Sequence, residues 1–441
     1  MRTTFALLLI AGLMPPPLTA QAPRIVAVGD IHGSFDGITA ILKRAGLIDE
    51  ALKWSGGRAT LVQTGDYTDR GTDVRKVLDL LMRLEREAKA AGGQALILLG
   101  NHEVMNLIGD WRDVTPAICA SFVTAISDVR REDAWKQYQR LGQRRPATAA
   151  PVAAYQQTRE TWMAAHPPGC LEYREAMSPS GVYGKWLREK SIAAQVGDSL
   201  FMHAGLNPLR PAPKSLAEVN DRARAEIRRL DAHRQRLVAK KLALPSFSLQ
   251  QLLEVNVAEL QTATNSIAAA QALGREAPAL DLPLLREAQE LLNIGTWSLV
   301  DPEGPLWFRG YAQWDEATTL AQVEAFLTQM KLARVVVGHS PTRDRRITPR
   351  FRGRAVIIDT GMLAPVYQGN PSALEITGDK LKAIYVDGEV DLTATPAKAV
   401  ASGVAAGTPL RTRAKRPDAL ATAKLKPLRL RSGGTPGIGR G

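Results

Sequence analysis

The stretch Ile25–Gly33, with the sequence IVAVGDIHG, ends an apolar run with an aspartate and a histidine between two glycines. The same arrangement follows the run Thr60–Gln63, which leads into Gly65–Gly71 (GDYTDRG). It recurs where Ala95–Leu99 leads into Gly100–Glu103 (GNHE). Open α/β sheets build their sites in the loops that follow such strands. Carboxylate, imidazole and amide ligands without cysteine suit Mn, Fe or Zn. The three stretches therefore predict a metal site, and one for two metals.

Strand and helix patterns alternate over the first hundred residues. Apolar residues with helical spacing occupy Phe35–Ala45 and Asp73–Ala91, between the three predicted strands. Gly92 and Gly93 end the second of these helices, and Ala95–Leu99 is apolar on both faces, as in a buried parallel strand. This βαβαβ order predicts an α/β fold with right-handed crossovers.

The later part of the chain resumes the sheet between two long insertions. We expect helices and loops in the insertions, about 111–190 and 214–294, and capping boxes begin at Ser215 and Ser248. Further strands are predicted at Ile192–Val196, Leu200–Met202, Arg334–Val337, Ala355–Ile358, Leu374–Ile376 and Leu381–Val386. The catalytic domain is therefore predicted to span 21–391.

The positive charge of the chain is concentrated at one end. The chain has 441 residues and a net charge of +13, and residues 397–441 contain ten Lys or Arg residues and one acidic residue. The segment 392–441 has no sustained apolar period, which predicts a basic, disordered tail. Such a tail favours weak contact with a polyanion or a membrane surface, and a solvated extension without a partner is the alternative. No specific nucleic-acid binding is expected of the mildly basic remainder.

The first twenty residues have the pattern of a secretory signal peptide. Arg2 precedes the apolar run Phe5–Met14, and Leu18–Ala20 offers small residues for cleavage. The run is too short to span a bilayer, although an uncleaved anchor is the alternative. We therefore expect a periplasmic or secreted protein.

The two cysteines, Cys119 and Cys170, both lie in the first insertion. In an exported protein they could form one disulfide, and two buried free thiols are the alternative. Their spacing fits neither a zinc site nor a redox motif. The sequence leaves both states open, because it cannot establish the distance between their Cα atoms.

Four of the six histidines stand beside glycine turns at the ends of predicted strands. These are His32, His102, His203 in MHAG and His339 in GHS. Four histidines beside such turns, together with Asp30, Asp66 and Asn101, indicate one shared cleft. His166 and His233 have no such setting and are assigned no role.

The order GDxHG, GDxxDRG, GNHE, a later His and then GH resembles the calcineurin-like metallophosphoesterases, in particular their phosphoprotein phosphatase branch. Three further stretches resemble the Shewanella-like bacterial phosphatases more narrowly: Gly100–Asn106, Gly184–Arg188 (GKWLR) and Gly304–Gly310 (GPLWFRG). The resemblance covers about residues 24–385, without most of 214–294. It implies a four-layer αββα sandwich with helical insertions.

The resemblance also implies the ligands of two metal ions. By position, Asp30 and His32 would hold the first metal, Asp66 would bridge both, and three residues would hold the second: Asn101, His203 and His339. A carboxylate can bridge two cations about 3.5–4 Å apart, and such a pair can activate a water to a bridging hydroxide.

Four further residues are expected to act on the phosphate or the leaving group. Arg70 offers a guanidinium fork to the phosphate, and Arg309 is a second clamp. By resemblance, His102 would protonate the leaving oxygen, with Asp69 orienting it. Structural ion pairs are the alternative for both arginines.

The expected activity is hydrolysis of phosphomonoesters on a phosphorylated small molecule or phosphoprotein. Many phosphodiesterases of this superfamily carry a second histidine where this chain has Pro341, so its absence favours monoesters. The narrower resemblance implies phosphotyrosine or other aryl phosphates. The alternatives are a phosphodiesterase or dinucleotide polyphosphate hydrolase on the same site, or a non-catalytic scaffold that binds metal and phosphate.

Overall fold

The structure, a computed structural model, describes residues 24–393. Its strands are β1 (Arg24–Val28), β2 (Thr60–Gln63), β3 (Gln94–Ile97), β4 (Ala193–Val196), β5 (Ser199–Met202), β6 (Arg334–Val337), β7 (Thr348–Arg350), β8 (Ala355–Ile357), β9 (Ser372–Thr377), β10 (Lys380–Tyr385) and β11 (Gly388–Asp391). The predicted signal peptide and nearly all of the predicted tail lie outside the described residues, so both stay predictions.

The helices are α1 (Phe35–Arg44), α2 (Val74–Ala90), α3 (Asn101–Ile108), α4 (Pro116–Ala120), α5 (Ser127–Arg144), α6 (Arg159–Ala165), α7 (Cys170–Ala176), α8 (Val182–Arg188), α9 (Leu216–Ala239), α10 (Leu249–Ala272), α11 (Leu282–Leu292), α12 (Gly310–Gln313), α13 (Glu316–Gln329) and α14 (Ala364–Tyr367). Single 3₁₀ turns occur at Ala153–Tyr155 and Ile294–Thr296. In this part of the chain no helix is both long enough and apolar enough to cross a membrane.

The described chain divides into two compact units. The first contains residues 24–102, 190–216 and 305–393, and the second contains residues 103–189 and 217–304. All the strands belong to the first unit, whereas the second is helical. The two insertions expected at 111–190 and 214–294 supply most of the second unit.

Two mixed sheets form the first unit. One has the order β11-β10-β9-β1-β2-β3, with β1, β2 and β3 parallel, and the other has the order β4-β5-β6-β8-β7, with β5, β6 and β8 parallel. The sheets share one core, in which Ile25, Ala27 and Val62 of the first lie with Val336 and Val356 of the second. Helices α1 and α2 contact the first sheet and α12 contacts the second. The predicted α/β sandwich with helical insertions is confirmed.

The register of the parallel strands aligns the loops that follow them. Val28 lies opposite Gln63, and Gln63 lies opposite Ile97, so β1, β2 and β3 end level with one another. In the second sheet, Met202 lies opposite Val337 and Val337 opposite Ile357. Because the carboxyl ends of parallel strands meet at one edge, the residues after each strand converge.

The helical unit has its own core and one disulfide. Helices α10 and α11 pack through Leu260, Ala263, Leu285 and Ala288, and the predicted capping box at Ser248 begins α10. Cys119 in α4 and Cys170 in α7 form a disulfide, with Cα atoms 4.5 Å apart. Of the two states that the sequence leaves open for these cysteines, the structure has the disulfide.

Candidate metal centre

Asp66 lies at the centre of the cluster that the strand ends bring together. Its Oδ2 atom is 3.2 Å from His203 Nε2, 3.7 Å from His32 Nε2 and 3.8 Å from His102 Nε2. Its Oδ1 atom accepts the backbone N–H of His102 at 3.0 Å. Burial alone would raise the pKa of Asp66, but the neighbouring imidazoles of His203 and His102 hold it well below the usual range. Asp66 is therefore a carboxylate with both oxygens directed into the site.

Backbone carbonyls orient three of the four imidazoles. A carbonyl oxygen only accepts, so each facing ring nitrogen carries the proton: His32 Nδ1 donates to Thr68 O at 3.1 Å, His203 Nδ1 to Thr64 O at 3.2 Å and His339 Nε2 to Trp307 O at 3.2 Å. When an imidazole held in this way is neutral, its other nitrogen presents a lone pair to the cluster. Hydrogen bonds of this kind fix the tautomer and orientation of metal-ligating histidines.

Burial favours the neutral form of two of these imidazoles. It lowers the pKa of His32 well below its ordinary value, and the nearby His102 lowers it further. Burial also lowers the pKa of His339 well below its ordinary value, and the nearby His203 and Arg309 lower it further. Neutral imidazole is the form that binds metal ions. Both rings are therefore ready to act as ligands without first losing a proton.

Three acceptor atoms lie around His203 Nε2. Asn101 Oδ1 lies 2.8 Å from this nitrogen and His339 Nδ1 lies 3.0 Å away, in addition to Asp66 Oδ2. With the protons of His203 and His339 committed to backbone carbonyls, these acceptors face one another. A cation between them removes the repulsion, and the mixture of imidazole, amide and carboxylate suits Mn, Fe or Zn. These residues fit a metal ion.

Two overlapping groups of possible ligands share Asp66. Within the described residues, ligand atoms come within 4.8 Å of one another in the set Asp66, His203, His339 and in the set His32, Asp66, His102. The shared carboxylate fits the bridging position expected of it. Asp30 lies beside the second set, with Oδ2 4.0 Å from His32 Nε2. All the residues expected as metal ligands thus lie in one cluster, and their roles stay predictions.

His102 and Asp69 form a buried pair beside this cluster. His102 Nδ1 lies 2.8 Å from Asp69 Oδ2, while His102 Nε2 faces Asp66. Burial lowers the pKa of His102, but Asp66 and Asp69 outweigh this effect and raise it above its ordinary value. The pair therefore has the geometry of an imidazolium held by a carboxylate, as a general acid requires.

The two arginines expected to bind phosphate occupy different positions. Arg70 Nη1 donates to His32 Nε2 at 3.1 Å, and its guanidinium lies over the ring of Tyr367, 5.5 Å from the centroid. Arg309 Nη1 donates to His339 O at 2.9 Å and Ser340 Oγ at 3.0 Å. Each guanidinium touches a residue at the metal cluster or next to it. Both cations therefore lie beside the ligand set.

The backbone of the site is strained. Five non-glycine residues of the cluster have positive φ angles, between 47° and 67°: His32, Asp66, Asp69, Arg70 and His339. Side chains other than glycine enter this region at a cost of order 1–3 kcal/mol each, and such residues concentrate at functional sites. The sharp turns point successive side chains into one space.

Glycine leaves room for the two central carboxylates. A Cβ atom on Gly100 would lie 2.2 Å from Asp66 Oδ1, and one on Gly338 would lie 2.3 Å from Asp30 Oδ1. Neither carboxylate could hold its position beside a larger residue. Glycine is therefore required at positions 100 and 338 because a carboxylate lies close to the backbone there.

Two residues of the site were missed by the sequence analysis. Asp359 is buried beside Asp30, and burial raises its pKa to about 6. It follows β8 in the sequence IDTG, so the rule that identified the other strand-end loops could have found it. Tyr367 stacks on His32 with ring centroids 5.6 Å apart. No signal in its own sequence marked Tyr367.

The strand-end ligand cluster of this two-sheet fold has the residue types of a metal centre. A family model described as calcineurin-like phosphoesterase matches residues 23–231. The resemblance of this part of the chain to the calcineurin-like phosphoesterases is thereby confirmed.

Within this class the resemblance to Shewanella-like phosphatases is also confirmed. The chain is 35% identical over 191 residues to Shewanella-like protein phosphatase 2 of Arabidopsis thaliana, which is 42% of this chain and 46% of that protein. It is 27% identical over 367 residues to an uncharacterized protein of Schizosaccharomyces pombe, covering 82% of this chain and 80% of that protein. The chain thus spans less than half the length of the Arabidopsis relative.

A solved structure shares the fold. The crystal structure of the cold-active protein-tyrosine phosphatase of a psychrophilic Shewanella species aligns with a TM-score of 0.52. The alignment covers 84% of this chain and 80% of that chain at 22% sequence identity. At this identity the similarity establishes the fold alone.

Proposed function

We propose that this protein hydrolyses phosphomonoesters at a centre of two metal ions. The observation that carries the proposal is the convergence of unprotonated acceptors around Asp66, beside Arg70 and the His102–Asp69 pair. Asp30, His32 and Asp66 would hold one ion, and Asp66 would share the other with three ligands: Asn101, His203 and His339. Bound there, the ions would supply an activated water and polarise the phosphate oxygens.

The remaining groups bind the phosphate and assist the leaving group. In the proposed complex, Arg70 exchanges its hydrogen bond to His32 for a forked contact with the phosphate. Arg309 adds a second positive charge beside His339. His102, held by Asp69, gives its proton to the leaving oxygen as the ester bond breaks.

Aryl phosphates are the proposed preferred substrates. Tyr367 offers an aromatic ring beside Arg70 and His32, which supports stacking of an aromatic leaving group. The similar Shewanella structure is that of a protein-tyrosine phosphatase, which supports the same choice. The proline at position 341, rather than a histidine, supports a monoester over a diester substrate.

A hydrolysis panel tests the proposal. Purified protein is freed of metal, reconstituted with Mn, Fe or Zn, and assayed on nitrophenyl phosphate, phosphotyrosine, an alkyl phosphate, a bis-aryl diester and a dinucleotide polyphosphate. We expect turnover of the monoesters, with aryl esters first, and none without metal. Faster turnover of the diester or the dinucleotide would contradict the proposal, and the absence of all turnover would leave the scaffold function.

We also propose that the protein works outside the cytoplasm. The signal pattern of residues 1–20 supports export, and the disulfide between Cys119 and Cys170 supports an oxidising compartment. The proposed partners are phosphorylated small molecules or phosphoproteins, with the basic tail making weak contact with an anionic surface. Fractionation of cells that produce the full-length chain would test the location.

A further inference from the structure

The helical unit contains a cavity of about 960 Å³. It is lined by residues of α5, α7, α8 and α9 and by the chain segments 178–180 and 244–246. All of these residues belong to the second compact unit, whereas the metal cluster belongs to the first. The cavity is therefore a separate feature, and its volume is in the range that accommodates small organic ligands.

Two guanidinium groups in the cavity wall donate hydrogen bonds to consecutive backbone carbonyls. Arg174 Nη1 donates to Ser246 O at 3.1 Å, and Arg234 Nη1 donates to Phe247 O at 2.5 Å. Arg174 also donates to His166 Nε2 at 2.8 Å, and Arg234 Nη2 donates to Ile108 O at 2.8 Å. Every one of these acceptors is neutral, since the proton of His166 lies on Nδ1, which donates to Trp162 O.

Neither guanidinium has an anionic partner among residues 24–393. No carboxylate lies within 4.0 Å of Arg174 or Arg234, although Asp231 acts on Arg234 from further away. The acidic side chains that line the cavity are bound to other cations: Asp133 to Lys136, Glu175 to Arg130, and Asp231 to Arg188. The two positive charges therefore have no carboxylate partner within 4.0 Å, although Arg174 lies over the ring of Trp111, 5.6 Å from the centroid.

Burial makes this arrangement costly. It lowers the pKa of Arg174 to about 10, and the charge of Arg234 lowers it further. The pKa of Arg234 is also lowered to about 10, with burial as the main cause. Two adjacent cations in a protein interior are destabilising unless an anion lies between them. Lys185, at the exposed rim, adds a third positive charge without an ion-pair partner in the described chain.

We propose that this cavity binds a phosphate group, free or carried by a small organic molecule, between Arg174 and Arg234. A phosphate monoester carries about −1.5 to −2 charges near pH 7, which matches two guanidiniums better than one carboxylate does. Arginine binds such groups through forked hydrogen bonds. The cavity leaves space for the organic part of the ligand.

Thermal unfolding of the metal-loaded, full-length protein tests this site. The probes are inorganic phosphate and phenylphosphonate, whose P–C bond a phosphatase does not cleave, each compared with chloride at equal ionic strength. At a hundredfold excess over Kd we expect a rise in Tm of roughly 5 °C. Arg174→Gln and Arg234→Gln should each reduce the rise to the part that phosphate at the metal centre contributes. Arg159→Gln, a control at an exposed arginine paired with Glu132, should keep the whole rise. For the part of the rise that Arg174→Gln removes, a larger value with phenylphosphonate would identify an organic phosphate as the ligand, and an equal or smaller value would identify free phosphate.

Two further variants separate this site from the metal centre and from misfolding. In Arg70→Ala protein, the further change Arg174→Gln should still remove the same part of the rise, because Arg70 acts on phosphate at the metal cluster and not in the cavity. Lys185→Gln changes only an exposed rim residue, so it should fold normally and need several-fold more phosphate for the same rise. The proposal is overturned if Arg174→Gln and Arg234→Gln leave the whole rise in place, if Arg174→Gln removes nothing from the rise in Arg70→Ala protein, or if Lys185→Gln leaves the phosphate dependence unchanged.

Discussion

At the scale of single residues, the carboxylate of Asp66 lies at the centre of the ligand cluster. Three imidazole nitrogens lie within 3.8 Å of one of its oxygens, and a backbone N–H binds the other. Its position therefore depends on contributions from three separate loops. Any change at Asp66 should affect both halves of the proposed centre at once.

We predict that Asp66→Asn abolishes turnover and lowers metal content below that of Asn101→Ala. The neutral amide cannot bridge two cations, whereas Asn101 serves only one. Elemental analysis together with the rate on nitrophenyl phosphate measures both effects. Asp36→Asn, at an exposed position of α1, is the matched control and should be unchanged. Full metal occupancy with a normal rate in Asp66→Asn would rule out the assignment of two metals.

The proton of His102 gives a second prediction. In His102→Asn, hydrolysis of an alkyl phosphate should slow on the order of 10²–10⁴-fold, because its strongly basic leaving oxygen needs a proton. Nitrophenyl phosphate should be affected much less. Steady-state rates on both substrates, with metal content, measure this. His102 Nε2 also lies near Asp66, so loss of metal from this variant would identify His102 as a ligand instead.

Arg70→Ala is the comparison variant for this prediction. It removes a phosphate contact common to both substrates, so the two rates should fall by similar factors. Equal losses on both substrates in His102→Asn, with metals retained, would mean that His102 does not protonate the leaving group.

At the scale of elements, helices α6 and α7 hold an imidazole that should link stability to pH. His166 is buried, stacks on Trp162 with centroids 4.1 Å apart and accepts a hydrogen bond from Arg174. Burial, aided by the charge of Arg174, lowers the pKa of His166 to about 3. The unfolded chain, with a pKa near 6.5, therefore takes up the proton first as the pH falls.

We predict that the free energy of unfolding is highest above pH 6.5 and falls between pH 6.5 and about 3. The contribution of His166 to this fall approaches about 1.4 kcal/mol per pH unit. His166→Gln should remove that part of the slope while lowering stability at pH 8 through the lost ring stack. Urea unfolding of both proteins at several pH values measures it. An unchanged slope in the variant would show that the pKa of His166 is the same in the folded and unfolded states.

The elements that the sequence predicts best combine an apolar periodic pattern with polar side chains that can bind a ligand. The loops after β1, β2 and β3 were found because glycine turns and polar ligands follow short apolar runs. Strands β7 and β11 were missed, since Thr348–Arg350 is half-buried and Gly388–Asp391 is largely exposed, so neither has the apolar pattern of a core strand. Tyr367 reaches His32 from a four-residue helix, through a contact that no local pattern encodes.

At the scale of the whole molecule, the basic segment at 397–441 gives a prediction that depends on sequence alone. It has a net charge of +9 and few apolar residues, so it cannot build a core. A protein truncated after residue 392 should keep its kcat on an aryl phosphate. It should lose salt-sensitive binding to anionic vesicles, which depends on electrostatic attraction. Unfolding of the truncated protein, seen by circular dichroism, would show that the domain boundary is wrong.

The pairing of β1 with β9 has a consequence for how the protein is made. Arg24 lies opposite Thr377, and the ligand set extends from Asp30 to His339. The β1 strand can therefore pair with β2 early in synthesis, but nearly all of the described chain must be made before its other neighbour, β9, exists. Folds with strand pairs so distant in sequence form slowly and pass through aggregation-prone intermediates. We expect refolding of the full-length chain to be slow. Added metal should accelerate it, because the ions bind ligands that lie far apart in the sequence.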